Sequence, residues 1–510
     1  MWTKPLALSL ILLAPPVLAQ APLSAIDWLE NHHPEAATAT LRPLLLEPPV
    51  SASALPPQVE VTALDAPSVS STGLLPMQVT GLPETLWQAS RSADLITQLA
   101  ALDVTAHPAL NDLLITLLLA EAAAPADARQ DSAFLQARVR KLLDLGAVDP
   151  ASALLGRAGP MDPALFPLWF DIALLTDQTT AACRQLRARP HLLRDVASRV
   201  FCTARLGDWA TAVTVLQSSE ALGDISETDA TLLAHFLDPE LAEAGGLPPP
   251  PRLPTPLEYR LYEAIGERLP SGPLPRAFAV TDLSGDAGWK AQLDAAERLA
   301  RVGTISPNRL LGIYTDRRRA ASGGIWDRVE ALQHFDTALT AGEPGAVAAT
   351  LQRVWAQMSS AGLLVPFSQI YGPRLVDIPL TGNAALLAAR AALLSPDYEL
   401  AAAKLPRDLP DRSLLAAIAT GQPPEIPPTG AMRAAVIAAF RDPGLPDTYA
   451  PLMQGDRLGE TILKALSETA EGAQGNPAIL TRGLRALRAV GLEDTARRTA
   501  LHLLLTGGLQ

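Results

Sequence analysis

The chain is short of the residues that most chemistry uses. Among 510 residues there are two cysteines and seven histidines, and aromatic side chains make up 5%. Charged residues reach only 18% and sum to a net charge of −12, which argues against nucleic acid and anionic lipid surfaces as partners. There is no phosphate loop, no GxGxxG after a strand, no HExxH, no GxSxG and no SxxK. These absences remove the enzyme classes that announce themselves by short motifs, so the expectation is no cofactor and no catalysis. What is abundant is alanine and leucine, within a hydrophobic content of 48%. Both are strong helix formers, and β-branched residues are thin, so the chain reads as all-α. At this length one ordinary core is too small; several domains or a repeat array are expected.

The N-terminus sets the compartment. Lys4, the apolar run Leu6–Ala14, Pro15–Pro16 and the small residue Ala19 form the pattern of a secretory signal peptide over residues 1–19. That run is too short to span a bilayer, so the mature chain is expected to be periplasmic or secreted without a membrane span. In such a compartment Cys183 and Cys202 are expected to pair as a disulfide. A reactive thiol and a metal site are the alternatives; neither cysteine has a CxxC partner or a histidine at ligand spacing. Trp169, Phe170, Ala173 and Leu174, then Val196, Val200 and Leu206, recur at helical spacing. Pro190 interrupts between them, which predicts a helical hairpin turning near Arg189–His191, one cysteine on each arm.

Residues 20–84 hold ten prolines and are expected as an extended arm, either laid partly ordered on the helical body or plainly disordered, with one short strand at 59–63. Residues 85–246 and 257–510 read as two helical repeat domains joined by a proline-rich seam at 247–256. A helix is predicted over Thr85–Leu102, and Leu110–Ala124 is apolar almost all round and therefore buried. Phe134–Leu145 follows, with Arg138, Arg140 and Lys141 expected on its wet side. Helices are further expected from Leu257, Trp289, Trp326, Gly345, Ala384, Leu414, Ala431 and Leu458, with a last hairpin over Ile479–Leu505. Trp87, Trp169, Trp209, Trp289, Trp326 and Trp355 are expected in the core.

One corner recurs. Gly146 precedes Ala151, Gly207 precedes Ala212 and Gly491 precedes Ala496, each time a helix stop followed five residues on by a small residue; a looser copy surrounds Gly342 and Leu351. This resembles the inter-helix corner of tetratricopeptide-like repeats, and the resemblance implies stacked antiparallel helical hairpins, an irregular α-solenoid. Leu452-Met453-Gln454 resembles part of a Gly-Leu-Met-Gln motif of soluble lytic transglycosylases, whose catalytic domain follows an Ala-rich superhelix. Here Pro451 replaces the glycine, and the catalytic Glu-Ser pair is missing upstream between Ala431 and Tyr449.

The expected function is therefore a non-catalytic scaffold or adaptor that binds a protein or peptide partner in the envelope. The alternative is a cell-wall-associated protein that binds glycan, including peptidoglycan, without cleaving it. Arg317, Arg318 and Arg319 beside Ser322-Gly323-Gly324 form the candidate partner-binding spot, able to hold an acidic or phosphate-bearing ligand, or else a solvated charge cluster. Arg482, Arg485 and Arg488 form a basic ridge or a wet helix face, and His32-His33 with Glu35 is the one local metal-ligand cluster, read as solvated polar residues.

Overall fold

A computed structural model describes residues 68–507, apart from 129, 130, 177, 239, 242–245, 285, 426 and 428. The expected signal peptide, most of the expected proline-rich arm with its expected strand, and His32–His33 lie outside the described residues. Within them the protein is helical; one isolated bridge, Leu75 to Ala120, is the extended pairing present.

The helices stack as antiparallel hairpins around three apolar clusters. The first begins with α1 (Ser92–Ala101), α2 (Pro108–Leu119), α3 (Ala133–Leu145) and α4 (Val148–Ala158). A second holds α5 (Phe166–Leu175), α6 (Thr179–Ala188), α7 (Val196–Arg205), α8 (Trp209–Leu222), α9 (Glu227–Leu237) and α10 (Pro256–Ile265). A third holds α11 (Trp289–Ala300), α12 (Pro307–Thr315), α13 (Ile325–Ala341), α14 (Pro344–Ser360), α15 (Leu364–Leu375) and α16 (Gly382–Leu393). The chain then returns to the first cluster with α17 (Arg412–Thr420), α18 (Ala431–Arg441), α19 (Leu458–Ala473), α20 (Pro477–Ala489) and α21 (Glu493–Thr506). Across the proline seam, α10 packs on α5 and α9, which precede the prolines.

The glycine-alanine corners have a physical basis in the backbone. Gly146, Gly207 and Gly491 adopt φ of 82°, 93° and 87°, the left-handed region that side chains avoid. The alanines five residues on, Ala151, Ala212 and Ala496, are fully buried, where a larger side chain would hold neighbouring helices apart. In the α6–α7 hairpin Cys183 and Cys202 are disulfide-bonded, with both residues buried. Arg189 ends the first arm, Pro190–Leu192 forms a 3-10 turn, and the Asp195 side chain caps α7 by accepting from the Ser198 N–H.

The array closes on itself, a feature that neighbour-only stacking does not require. Helix α2 packs against α19 and α21, and α1 packs against α19. Arg498 pairs with Asp112 at 3.0 Å, Gln98 donates to Glu460 at 3.3 Å, and the Gly459 N–H donates to Leu86 O at 3.1 Å. This closure explains why α2 is apolar almost all round: Leu110 and Leu114 on one face, and Leu113 and Leu119 on others, are all buried.

Four expectations need correction. The helix predicted from Thr85 starts at Ser92, because Leu86 and Trp87 turn inward to meet α19, and its inner face is Leu95 and Leu99. Arg138 and Lys141 are buried. The Arg138 guanidinium donates to Leu118 O, Ala120 O and Thr72 O, and the Lys141 ammonium donates to Leu102 O. Each serves carbonyls that a helix end leaves without a partner, and Arg140 alone of the three stays exposed. Trp209 is 46% exposed, since α8 has neighbours on one side only and the indole stacks on Phe236 at 5.6 Å. Helices α9 and α15 had no counterpart in the sequence reading; α15 carries Pro373 inside it.

Candidate functional site

The sequence-predicted spot is an exposed loop. Arg317–Arg319 lie between α12 and α13, with their side chains in solvent. Arg317 pairs with Asp316 at 3.0 Å, and Arg319 pairs with Glu330 at 2.9 Å, a carboxylate that also takes Arg353 at 2.7 Å. Arg318 has no ion pair among the described residues. Beneath the loop, the buried Glu297 carboxylate accepts from the Tyr314 hydroxyl, from both ends of the Arg328 guanidinium and from Arg301. Burial and the adjacent Glu297 raise the Tyr314 hydroxyl well above its ordinary range, so it stays protonated and donating. This network ties α11, α12 and α13 together and holds the base of the loop.

The arginines at 482, 485 and 488 are ties between helices. Arg482 grips Glu468 with two hydrogen bonds, Arg485 pairs with Asp442 at 2.6 Å, and Arg488 pairs with Glu493 while lying 4.6 Å over the Phe440 ring. They knit α20 to α18, α19 and the start of α21.

A larger recess lies elsewhere. A cavity of about 410 Å³ opens between the N-terminus of α17 and the first turns of α18. Its polar wall carries the guanidinium groups of Arg407, Arg412 and Arg433, the carboxylate of Asp411 and the hydroxyls of Ser413 and Thr429. Leu409, Leu414 and Ile437 form its apolar side. Arg433 and Asp411 make a two-point pair with both N···O distances at 2.8 Å. Arg412 spends Nε on Leu405 O at 3.2 Å, and its two terminal nitrogens have no partner among the described residues. Arg407 makes no ion pair among the described residues. Three guanidinium groups against one carboxylate leave a local charge of +2 on a protein whose net charge is −12.

A second recess of about 230 Å³ shares Asp411 and Arg433 and adds Arg390, half-buried and also without an ion pair among the described residues. Sequence reading missed this constellation because its arginines come from four separate elements. The available signal was weak: a loop carrying Arg407 and Arg412 and punctuated by Pro406 and Pro410, with Pro427 lining the same recess.

Two groups with displaced titration, Asp171 and His502, lie away from this recess. Burial pushes the Asp171 carboxyl up to about 6, with Asp195 adding to the effect. Burial pulls the His502 imidazole down to about 4, helped by His107, whose ring stands 6.2 Å away. No cluster of His, Cys, Asp and Glu suited to a metal ion occurs among the described residues. No described helix is long and apolar enough to cross a membrane. Comparison with family models, with curated proteins and with solved structures finds no match.

Proposed function

We propose that the protein is an exported, non-catalytic scaffold or adaptor, periplasmic or secreted, that holds protein or peptide partners on its helical-hairpin surface. The observation that carries this reading is the recess between α17 and α18, whose wall is rich in guanidinium donors. Guanidinium donors gathered in one recess suit the binding of an anionic group. Stacked hairpins add extended surface for a partner, and the exposed Arg317–Arg319 loop is a second contact in this reading.

The test has two arms. Tagged protein cross-linked in an envelope extract should recover a defined protein partner, displaced by excess untagged protein. Sedimentation with purified peptidoglycan should leave the protein in the supernatant. Co-sedimentation with the wall and no protein partner would transfer the function to the glycan-binding alternative that residues 452–454 suggest. No protein partner and no co-sedimentation with the wall would overturn the interaction reading.

A further inference from the structure

We propose that the recess between α17 and α18 binds the side-chain carboxylates of an acidic peptide segment, with Arg407 and Arg412 as the principal donors. The inference rests on the binding-protein reading and names the chemistry of the partner.

The charge comes first. Arg433 is already matched to Asp411, so the anion-binding capacity lies in Arg407 and in the two terminal nitrogens of Arg412. A guanidinium offers a planar pair of donors that fits a carboxylate in two-point fashion. Positive charge in a concave wall concentrates the field, and the acidic remainder of the protein makes this recess a distinct target for an anion. The hydroxyls of Ser413 and Thr429 add uncharged donors at its edge. The N–H groups of Ser413 and Leu414, in the first turn of α17, make no backbone hydrogen bond among the described residues and present further positive dipole to the same space.

The apolar side selects among anions. Leu409, Leu414 and Ile437 line the recess together with the arginines, so a fully hydrated ion would leave that apolar surface unused. An acidic residue next to an aliphatic one fills both halves. The volume of about 410 Å³ falls in the range of roughly 300–1,000 Å³ that small-ligand sites occupy. The neighbouring recess, with Arg390 on the far side of the Asp411–Arg433 pair, offers a second cation to a carboxylate further along the same peptide.

The experiment is calorimetric titration of the full chain with the capped peptide acetyl-Leu-Glu-Leu-Glu-amide, with its Gln analogue, and with inorganic phosphate. The Glu peptide should bind saturably and weaken as salt is raised, and the Gln analogue and phosphate should bind at least about ten-fold more weakly. Arg407→Gln with Arg412→Gln should weaken Glu-peptide binding by about ten-fold or more, which corresponds to losing one charge-assisted contact. Arg407 is exposed and makes no ion pair among the described residues, so Arg407→Gln should leave the melting temperature unmoved; it repeats the test alone if the double variant, which also loses the Arg412 Nε bond to Leu405 O, misfolds. Equal binding of Glu and Gln peptides, phosphate binding as tight as the peptide, or full affinity in the variants would each overturn the proposal. The two readings fail separately. A partner captured equally well by the double variant sinks the recess and keeps the scaffold. Variant-sensitive peptide binding with no captured partner keeps the recess and sinks the scaffold.

Discussion

Gly459 is where closure of the helical array is most sharply testable. It occupies the second position of α19, and its N–H donates to Leu86 O. A Cβ placed there would stand 2.4 and 2.5 Å from two ring carbons of Trp87 and 2.7 Å from Leu86 O. Carbon atoms in contact prefer about 3.5–4.0 Å, so the indole or the segment carrying it would have to retreat by about 1 Å. It has no room to do so: Trp87 is 1% exposed and stands edge-on to Phe134 at 5.4 Å. Overpacking of this kind costs roughly 1–3 kcal/mol, and the backbone carbonyl in the way places Gly459→Ala toward the upper end. Gly156 is the control. It lies inside α4, and an added Cβ there meets nothing within 4 Å. Gly156→Ala should therefore stabilise by roughly 0.5–1 kcal/mol through helix propensity alone. The two alanine variants should differ by about 2–4 kcal/mol, with opposite signs relative to the parent. Urea unfolding followed by far-UV circular dichroism measures this through the midpoints. Similar midpoints for both variants would show that the segment before α1 does not meet α19 as described, and the closure reasoning would fall.

Further outcomes follow from the disulfide and from the two displaced titrations. The bond between Cys183 and Cys202 closes a loop with a sequence separation of 19, so replacing both cysteines by alanine should cost about 3 kcal/mol. Mass spectrometry of protein alkylated without reduction should find both cysteines unlabelled and linked; label on both would defeat the assignment. The His502 imidazole titrates near 4 in the fold against about 6.5 when unfolded, so the unfolded chain binds the extra proton between those values. Stability should be complete above pH 6.5 and decline by up to about 3 kcal/mol as pH falls toward 4, and His502→Gln should flatten that decline; an equal decline in both proteins would refute the role. Asp171 has the opposite sign. Its carboxyl titrates near 6 when folded, so its favourable contribution exists at low pH and is lost as pH rises through 6. Asp171→Asn should then stabilise by up to about 3 kcal/mol at pH 7.5 and much less at pH 4, read from urea midpoints at the two values; no gain at pH 7.5 would show that the carboxylate is not stranded.

Much of the fold was legible because local chemistry sets it. Ala- and Leu-rich periodicity, proline and glycine punctuation and N-cap residues act within a few positions of one another, so the hairpin corners at Gly146, Gly207 and Gly491 could be read directly. The disulfide was legible for the same reason: two arms of one hairpin bring Cys183 and Cys202 together without distant help. Helix α15 was hidden because Pro366 and Pro373 look like breaks. Pro366 falls in its first turn, where the missing N–H costs little, and packing of the nearby Gly372 against Ala391 and Ser395 supports the rest.

Only the tertiary structure decided what the charged residues do. A one-dimensional pattern places Arg138 and Lys141 on a polar stripe, yet both reach carbonyls across helices and are buried. Likewise Arg482, Arg485 and Arg488 look like a ridge in sequence and prove to be three separate ties. The physical reason is reach. A guanidinium on a long stem finds partners from elements tens or hundreds of residues away, so its environment is a property of the assembled fold. The same holds for the recess of Arg407, Arg412 and Arg433, which exists only once α17 and α18 are set beside each other. Sequence by itself determined an all-helical chain of hairpins with one disulfide staple. Meeting of the first and last helices, and the basic recess beside them, came from contacts no local pattern encodes.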